Sequence, residues 1–243
     1  MTDKTAVITG VGRQAGLGFA VARELCDQGF HVFLTARDLA AAEPLAARLR
    51  AEGYEATALR LDLSDPTSVR EAADDLARRI GRLDVLVNNA SAMPDFQTLS
   101  ALDADMDHVR IHLEVSALGP WALTQALLPL LTSAPAARIV NVSSLSAQQI
   151  ATGLDLGAPM RSPGYSMAKY MLNALTEVLA RALADTSILV NAVDPGNTAT
   201  HPERGHDETD RTAAESARDI VRAATLGPDG PTGRLFSSAQ PLA

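Results

Sequence analysis

Cysteine is all but missing from this chain. Cys26 is the only one in 243 residues, which excludes an intrachain disulfide. It sits in Ala-Arg-Glu-Leu-Cys-Asp, a helical stretch, where a small buried thiol and a reactive one are the two readings. Aromatic residues make up only 4% of the chain, too few for a surface of stacked bases. Positive charge is also short: 21 Lys and Arg stand against 29 Asp and Glu, a formal net charge of -8. An acidic surface repels a phosphate backbone, whereas an anionic cofactor needs only a few basic groups placed locally. No apolar run approaches the roughly 20 residues of a membrane helix. The start, Met-Thr-Asp-Lys-Thr, leads into a short apolar stretch with no signal-peptide pattern. These absences predict a soluble, cytoplasmic protein without nucleic-acid or membrane partners.

What is present is an alternation of strand-like and helix-like segments. Thr5 to Thr9 reads as a strand, Gly16 to Gln28 as a helix closed by Gly29, and His31 to Thr35 as a second strand. Leu39 to Glu52 is the next helix, Glu55 to Leu61 the third strand, and Asp65-Pro66 opens a helix with proline at its favoured first position. Leu83 to Val87 is a buried-type strand, followed by a long helix from about Asp105 to Leu131 that Pro129 kinks or ends. Arg138 to Val142, Ser187 to Val193 and Gly233 to Phe236 complete seven strands, and Tyr165 to Ala184 and Ala213 to Thr225 are helices. Two connections stand out: a Gly-, Pro- and Ser-rich loop over about 145–163 and a polar stretch over about 197–212. With no linker or repeat to divide it, the chain reads as one α/β domain over 1–243. Its fold class is a Rossmann-type, doubly wound parallel sheet of about seven strands with helices on both faces.

The first strand delivers Thr9-Gly-Val-Gly-Arg-Gln-Ala-Gly-Leu-Gly18 into the first helix. Glycines at 10, 12, 16 and 18 allow a tight turn and close backbone approach, and the helix start offers free N–H groups to a pyrophosphate. Glycines also punctuate ordinary turns; the strand-to-helix context is what points to binding. The second strand ends in Thr35-Ala36-Arg37, where an acidic residue would select a ribose hydroxyl and an arginine a 2′-phosphate. Arg37 with Arg13 therefore points to NADP(H), unless both arginines are merely solvated or Asp38 neutralises its neighbour.

Asn88-Asn89-Ala90, Asn141-Val-Ser-Ser144, Tyr165-Ser-Met-Ala-Lys169 and Asp194-Pro-Gly196 follow in order. Together with the glycine-rich start, these motifs resemble those of the short-chain dehydrogenase/reductase family, nearly end to end. Residues four apart on a helix share a face, so Tyr165 and Lys169 project into one cleft. An ordinary tyrosine is a reluctant proton donor, and a nearby ammonium favours tyrosinate. The resemblance implies Tyr165 as general acid, Lys169 as its partner and ribose anchor, and Ser144 rather than Ser143 on the substrate oxygen. It places Asp62 and Leu63 at the adenine, Asn89 and Ala90 along the riboses, and Pro195, Gly196 and Thr198 at the nicotinamide. Leu17, between Gly16 and Gly18, belongs to the phosphate cradle. Transfer of the pro-S hydride and a homodimer or homotetramer are further expectations from the family, unless the 145–163 insertion caps the pairing face.

Four departures from the family pattern matter. Five residues, 11 to 15, separate Gly10 from Gly16 where three are usual, so the cradle is expected to bulge, with Gly12 absorbing the bulge. Ser91 replaces a glycine. Ser116 stands where an asparagine normally organises a water relay behind the lysine, which makes it a fourth catalytic candidate. Ser144 and Tyr165 are 21 positions apart, and the extra length predicts a flap with Leu154, Leu156 and Met160 on an apolar underside. That flap suggests an apolar or cyclic carbonyl substrate. Three readings follow: carbonyl reduction, reduction of an imine or conjugated alkene on the same scaffold, or a non-catalytic NADP(H)-binding protein. His108 and His112 lie one helical turn apart, a spacing that metal sites use and that packed or solvated histidines share; no third ligand accompanies them. His201 and His206 read as loop residues.

Overall fold

The computed structural model describes residues 4–151, 161–200 and 210–237. Its strands are β1 (Thr5–Ile8), β2 (His31–Ala36), β3 (Ala56–Arg60), β4 (Val85–Asn88), β5 (Arg138–Val142), β6 (Leu189–Asp194) and β7 (Leu235–Ser237). They form one sheet in the order β3-β2-β1-β4-β5-β6-β7, with every pairing parallel. β1, β4, β5 and β6 are buried along their whole length, as near-continuous apolar strands between two helical layers must be.

One layer carries α1 (Leu17–Asp27), α2 (Leu39–Ala51) and α8 (Ala213–Ala224), and the other α3 (Pro66–Arg79), α5 (Gly119–Thr132) and α7 (Pro163–Ala182). The two layers correspond to two apolar clusters. Val21, Leu25, Ile220 and Val221 pack with Ile8, Val32 and Val140 on one face of the sheet. Leu76, Leu123, Leu127 and Leu172 pack with Val7, Leu86 and Ile139 on the other. Side chains alternate across each strand, which is why neighbours such as Val7 and Ile8 serve opposite clusters.

Local chemistry sets the helix starts. Asp38 and Asp65 cap α2 and α3 through their carboxylates, and Thr212 with Glu215 forms a reciprocal capping box on α8. The long helix expected from Asp105 is a rod of three parts: α4 (Met106–Leu113), a π-helical turn (Glu114–Leu118) and α5. Pro129 does not end it: the rod runs on to Thr132, although proline gives the last turn no N–H to donate to the carbonyl four residues back. The 27-residue rod Met106–Thr132 is long and apolar enough, by length and composition, to cross a membrane, contrary to the expectation from sequence. Its apolar character belongs to the core, with Leu123, Leu127 and Leu131 wholly buried on the sheet.

The loop expected over 145–163 begins instead as a helix, α6 (Leu145–Ala151), because Leu-Ser-Ala-Gln-Gln-Ile-Ala is a sound helical sequence once the Asp194 carboxylate accepts the Leu145 N–H. Leu154, Leu156 and Met160 of the expected flap, and His201 and His206 of the 197–212 stretch, lie outside the described residues. The ends of that stretch are tied together: Arg211 N–H donates to the Asn197 carbonyl and Ala199 N–H to the Arg211 carbonyl. Between the sheet's central strands runs a polar thread: Asn88 Nδ2 donates to Asn141 Oδ1, Asn141 Nδ2 to Thr176 Oγ1, and Thr176 to the Leu172 carbonyl.

Candidate active site

The strand order reverses between β1 and β4, and a crevice opens there at the carboxyl ends of the strands. It holds a cavity of about 1130 Å³, lined from the glycine loop at one end to Tyr165, Phe96 and Arg161 at the other. Gly10, Gly12, Arg13, Gly16, Leu17, Gly18, Arg37, Asp62, Leu63, Asn89, Ala90, Ser144, Tyr165, Lys169, Pro195, Gly196 and Thr198 all line it. Of the residues the sequence named as catalytic or cofactor-binding, Ser116 alone does not: it is fully buried behind the wall.

At the first end, the backbone approaches closely because side chains are missing. Gly10 has a φ of +74°, and a Cβ there would lie 2.6 Å from the Ala90 Cα. A Cβ at Gly18 would lie 2.6 Å from the Asn89 amide nitrogen. That amide donates to the Thr9 carbonyl, while the buried Thr9 hydroxyl accepts from the N–H groups of both Asn89 and Ala90. Thr9, not singled out in the sequence, thus joins the tips of β1 and β4. The extra loop length is taken up by a turn closed by Gly16 N–H on the Arg13 carbonyl at 3.1 Å. Gly12 does not absorb it: its φ is not left-handed, and a Cβ there would make only ordinary contact, 3.8 Å from Ala41. α1 starts at Leu17 with no side-chain cap, so its first N–H groups are left to a ligand.

Beyond β2, Asp38 turns its carboxylate onto Ala40 N–H to cap α2, not onto Arg37. Asp62 lies across from Arg37. Burial raises its carboxyl, but hydrogen bonds from the Ser64 hydroxyl and N–H, with the charges of Arg37 and Arg60, outweigh this and hold it below the ordinary range. The cradle therefore fits a pyrophosphate: glycine backbone, an uncapped helix start, and two arginines at the rim. Those arginines also suit a further phosphate on the adenosine ribose.

At the second end, Tyr165 and Lys169 stand one turn apart on α7. Lys169 is almost wholly buried, and its ammonium donates to the Val142 carbonyl at 2.7 Å and lies 5.6 Å from the Tyr165 ring centre. Burial lowers its pKa from 10.5 to about 8. Burial pushes the Tyr165 phenol above its usual value, a hydrogen bond from Ser144 pulls it down, and the Asp194 charge pushes it up again. Ser143 turns away, its hydroxyl donating to Asn173 on α7 at 2.6 Å, which leaves Ser144 as the serine facing Tyr165. Asp194 accepts from Gly196 N–H, and Arg211 holds the Pro195 carbonyl, so the loop after β6 is fixed from both sides.

Ser91 and Ser116, two of the departures noted in the sequence, prove to be neighbours: their hydroxyl oxygens are 3.3 Å apart. His112 is buried and turned onto Asp95, and no metal-binding cluster of three or more His, Cys, Asp or Glu exists among the described residues. Cys26 is buried, with its thiol pushed up to about 12, so it is the packed rather than the reactive kind.

A family model described as short chain dehydrogenase matches residues 4–211. The oxidoreductase UcpA of Escherichia coli is 34% identical over 201 residues, spanning 82% of this chain and 71% of the relative. Human carbonyl reductase [NADPH] 3 is 32% identical, spanning 96% of this chain and 95% of the relative. Among solved structures, salutaridine reductase from Papaver somniferum superposes with a TM-score of 0.79 at 24% identity, over 96% of this chain and 99% of that one.

Proposed function

Because the chain belongs to the short chain dehydrogenase family, we propose that it reduces a small aldehyde or ketone with NADPH, or runs the reverse, with Tyr165 moving the proton. The observation that carries this reading is one side-chain arrangement: Tyr165 on the cavity wall, hydrogen-bonded by Ser144, with the buried Lys169 beside its ring. The name carbonyl reductase [NADPH] of a relative matched nearly end to end supports both the substrate class and the cofactor. Arg13 and Arg37 at the cavity rim support NADPH over NADH.

NADPH supplies the hydride; the protein's residues do the rest. The glycine loop and the start of α1 hold the pyrophosphate, Asp62 and Leu63 the adenine end, Asn89 and Ala90 the riboses, and the loop Pro195–Thr198 the nicotinamide. Ser144 donates to the substrate oxygen and stabilises charge as it develops. The Tyr165 phenol then gives its proton to that oxygen. Burial keeps the phenol protonated at neutral pH, which favours reduction, while the neighbouring Lys169 ammonium stabilises the tyrosinate left behind. Alcohol oxidation needs tyrosinate at the start and should gain as pH rises.

Met93 and Phe96 at the far end suit an apolar or cyclic substrate. Exposed Ile111, Leu118 and Trp121 on the long helical rod, and Met167, Tyr170 and Val178 on α7, support association of like chains. The test is NADPH consumption against a panel of aldehydes, ketones and cyclic imines, with Tyr165→Phe beside the wild type. Turnover of a carbonyl compound should fall about 1000-fold in the variant while NADPH binding persists. Carbonyl turnover that survives in Tyr165→Phe, or turnover of imines alone, would overturn the reading.

A further inference from the structure

The proton-transfer chemistry makes no use of one deeply buried titratable pair, His112 and Asp95. His112 projects inward from α4, and Asp95 from the loop after β4; their side chains are 0% and 1% exposed, with Nε2 and Oδ1 2.6 Å apart. Among the described residues, His112 Nδ1 and Asp95 Oδ2 have no hydrogen-bond partner, so the pair is closed on itself. Withdrawing an imidazole and a carboxylate from water is costly, and two apolar side chains would fill the space at least as well. Packing alone does not account for the pair.

Its neighbours do. The His112 ring stands edge-on to the Tyr165 ring, with centres 5.9 Å apart and planes at 70°. Gly164, immediately before Tyr165, lets both partners close in: a Cβ there would lie 3.0 Å from His112 Cδ2 and 3.2 Å from Asp95 Oδ2. The backbone of Asp95 is tied to the turn that leads into α7. Ser162 Oγ and Thr98 N–H both donate to the Asp95 carbonyl, and Ser162 N–H donates to the Thr98 carbonyl. Ser162 is the one non-glycine residue with positive φ, +53°, among the described residues. A residue held in that region needs its surroundings to keep it there. The same loop carries Met93 and Phe96 into the cavity.

We infer that Asp95 and His112 are positioning residues, whose mutual hydrogen bond fixes the His112 ring and thereby the Tyr165 ring, and locks the substrate-side loop to the first turn of α7. The inference rests on the reading of Tyr165 as the proton donor. It is tested with ¹³C-labelled tyrosine in the cofactor-free protein. The chain has three tyrosines, Tyr54, Tyr165 and Tyr170, and the Tyr165 signal is the one missing in Tyr165→Phe. In Asp95→Ala/His112→Met, which replaces the pair by apolar groups of similar combined volume, that signal should shift and broaden while the other two stay in place. Turnover should drop roughly tenfold with the KM for NADPH unchanged. A Tyr165 signal that does not move overturns the inference, whatever happens to the melting temperature. If the double variant does not fold, His112→Gln serves: its amide still donates to Asp95 but removes the ring, and the same shift or its absence decides. Failure of the wild type to reduce any carbonyl would strike the reductase reading instead, and the spectroscopic test would still stand.

Discussion

The two ends of the crevice are built from different materials. The end beneath β1 and β2 is made largely of backbone: Gly10 and Gly18, which leave no room for a Cβ, an uncapped helix, and two surface arginines. The end beneath β4, β5 and β6 is made of side-chain partnerships: Ser144 with Tyr165, Ser91 with Ser116, Asp95 with His112, and the Arg161 guanidinium over Phe96. A phosphate is recognised by N–H groups that any sequence possesses, so the first end needs only space and torsional freedom. A reacting carbonyl needs one proton donor in one place, so the second end needs specific atoms held by other specific atoms.

The comparison breaks most sharply at Lys169. Replacing it by methionine should cost at least 100-fold in turnover, because tyrosinate loses its neighbouring cation. The same variant should be more stable. In the folded protein the lysine releases its proton near pH 8, against 10.5 when it is solvated. Below pH 8 both states hold the proton, and the fold bears the full cost of the buried charge. The cost shrinks as pH rises from 8 to 10.5 and is gone above. Lys169→Met should therefore gain about 1–3 kcal/mol at pH 7, after loss of the Val142 bond, and nothing near pH 10.5; denaturant melts at the two pH values check it.

Arg37→Ala tests the other end. Loss of a charge-assisted contact to the cofactor should weaken NADPH binding about 10- to 100-fold, leave NADH nearly unaffected, and spare the rate at saturating cofactor. Fluorescence titration with both cofactors reads this, and equal losses for the two would show that the arginine does not discriminate. The smallest effect is expected where the two ends meet. Ser91→Gly with Ser116→Asn restores the commoner family pair, and because the two hydroxyls touch, the changes should be non-additive. The double variant should keep turnover within about threefold of wild type while each single variant falls further; a double-mutant cycle measures the difference.

The same contrast governs what could be read from the sequence. Alternating apolar segments and the glycine loop announced the sheet, its helical layers and the glycine-lined end of the crevice, because those depend on local periodicity and backbone freedom. Ser144, Tyr165 and Lys169 were legible through ordered motifs. The partnerships were not. Ser91 and Ser116 were each noticed as a departure, but nothing in the chain says that positions 25 apart share a contact. His112 drew attention through His108, one turn away on its own helix, whereas its true partner is Asp95 on a loop. The turn from Arg13 to Gly16 and the helix α6 were missed for the reverse reason: a glycine drew attention to Gly12, and a nearby Gly- and Pro-rich tract concealed seven helical residues.

The thread from Asn88 through Asn141 to Thr176 has a consequence for how the chain reaches this fold. Asn88 and Asn141 are direct partners in the β4–β5 ladder. Between Arg138 at the start of β5 and these amides, the paired residues are all apolar, and such surfaces offer little to distinguish the right pairing from one shifted along by a residue. A slip would leave two carboxamides stranded in hydrocarbon, each costing about 1–3 kcal/mol. The amide pair thus works as a key cut into a largely smooth bolt, fitting the aligned sheet and penalising a shifted one.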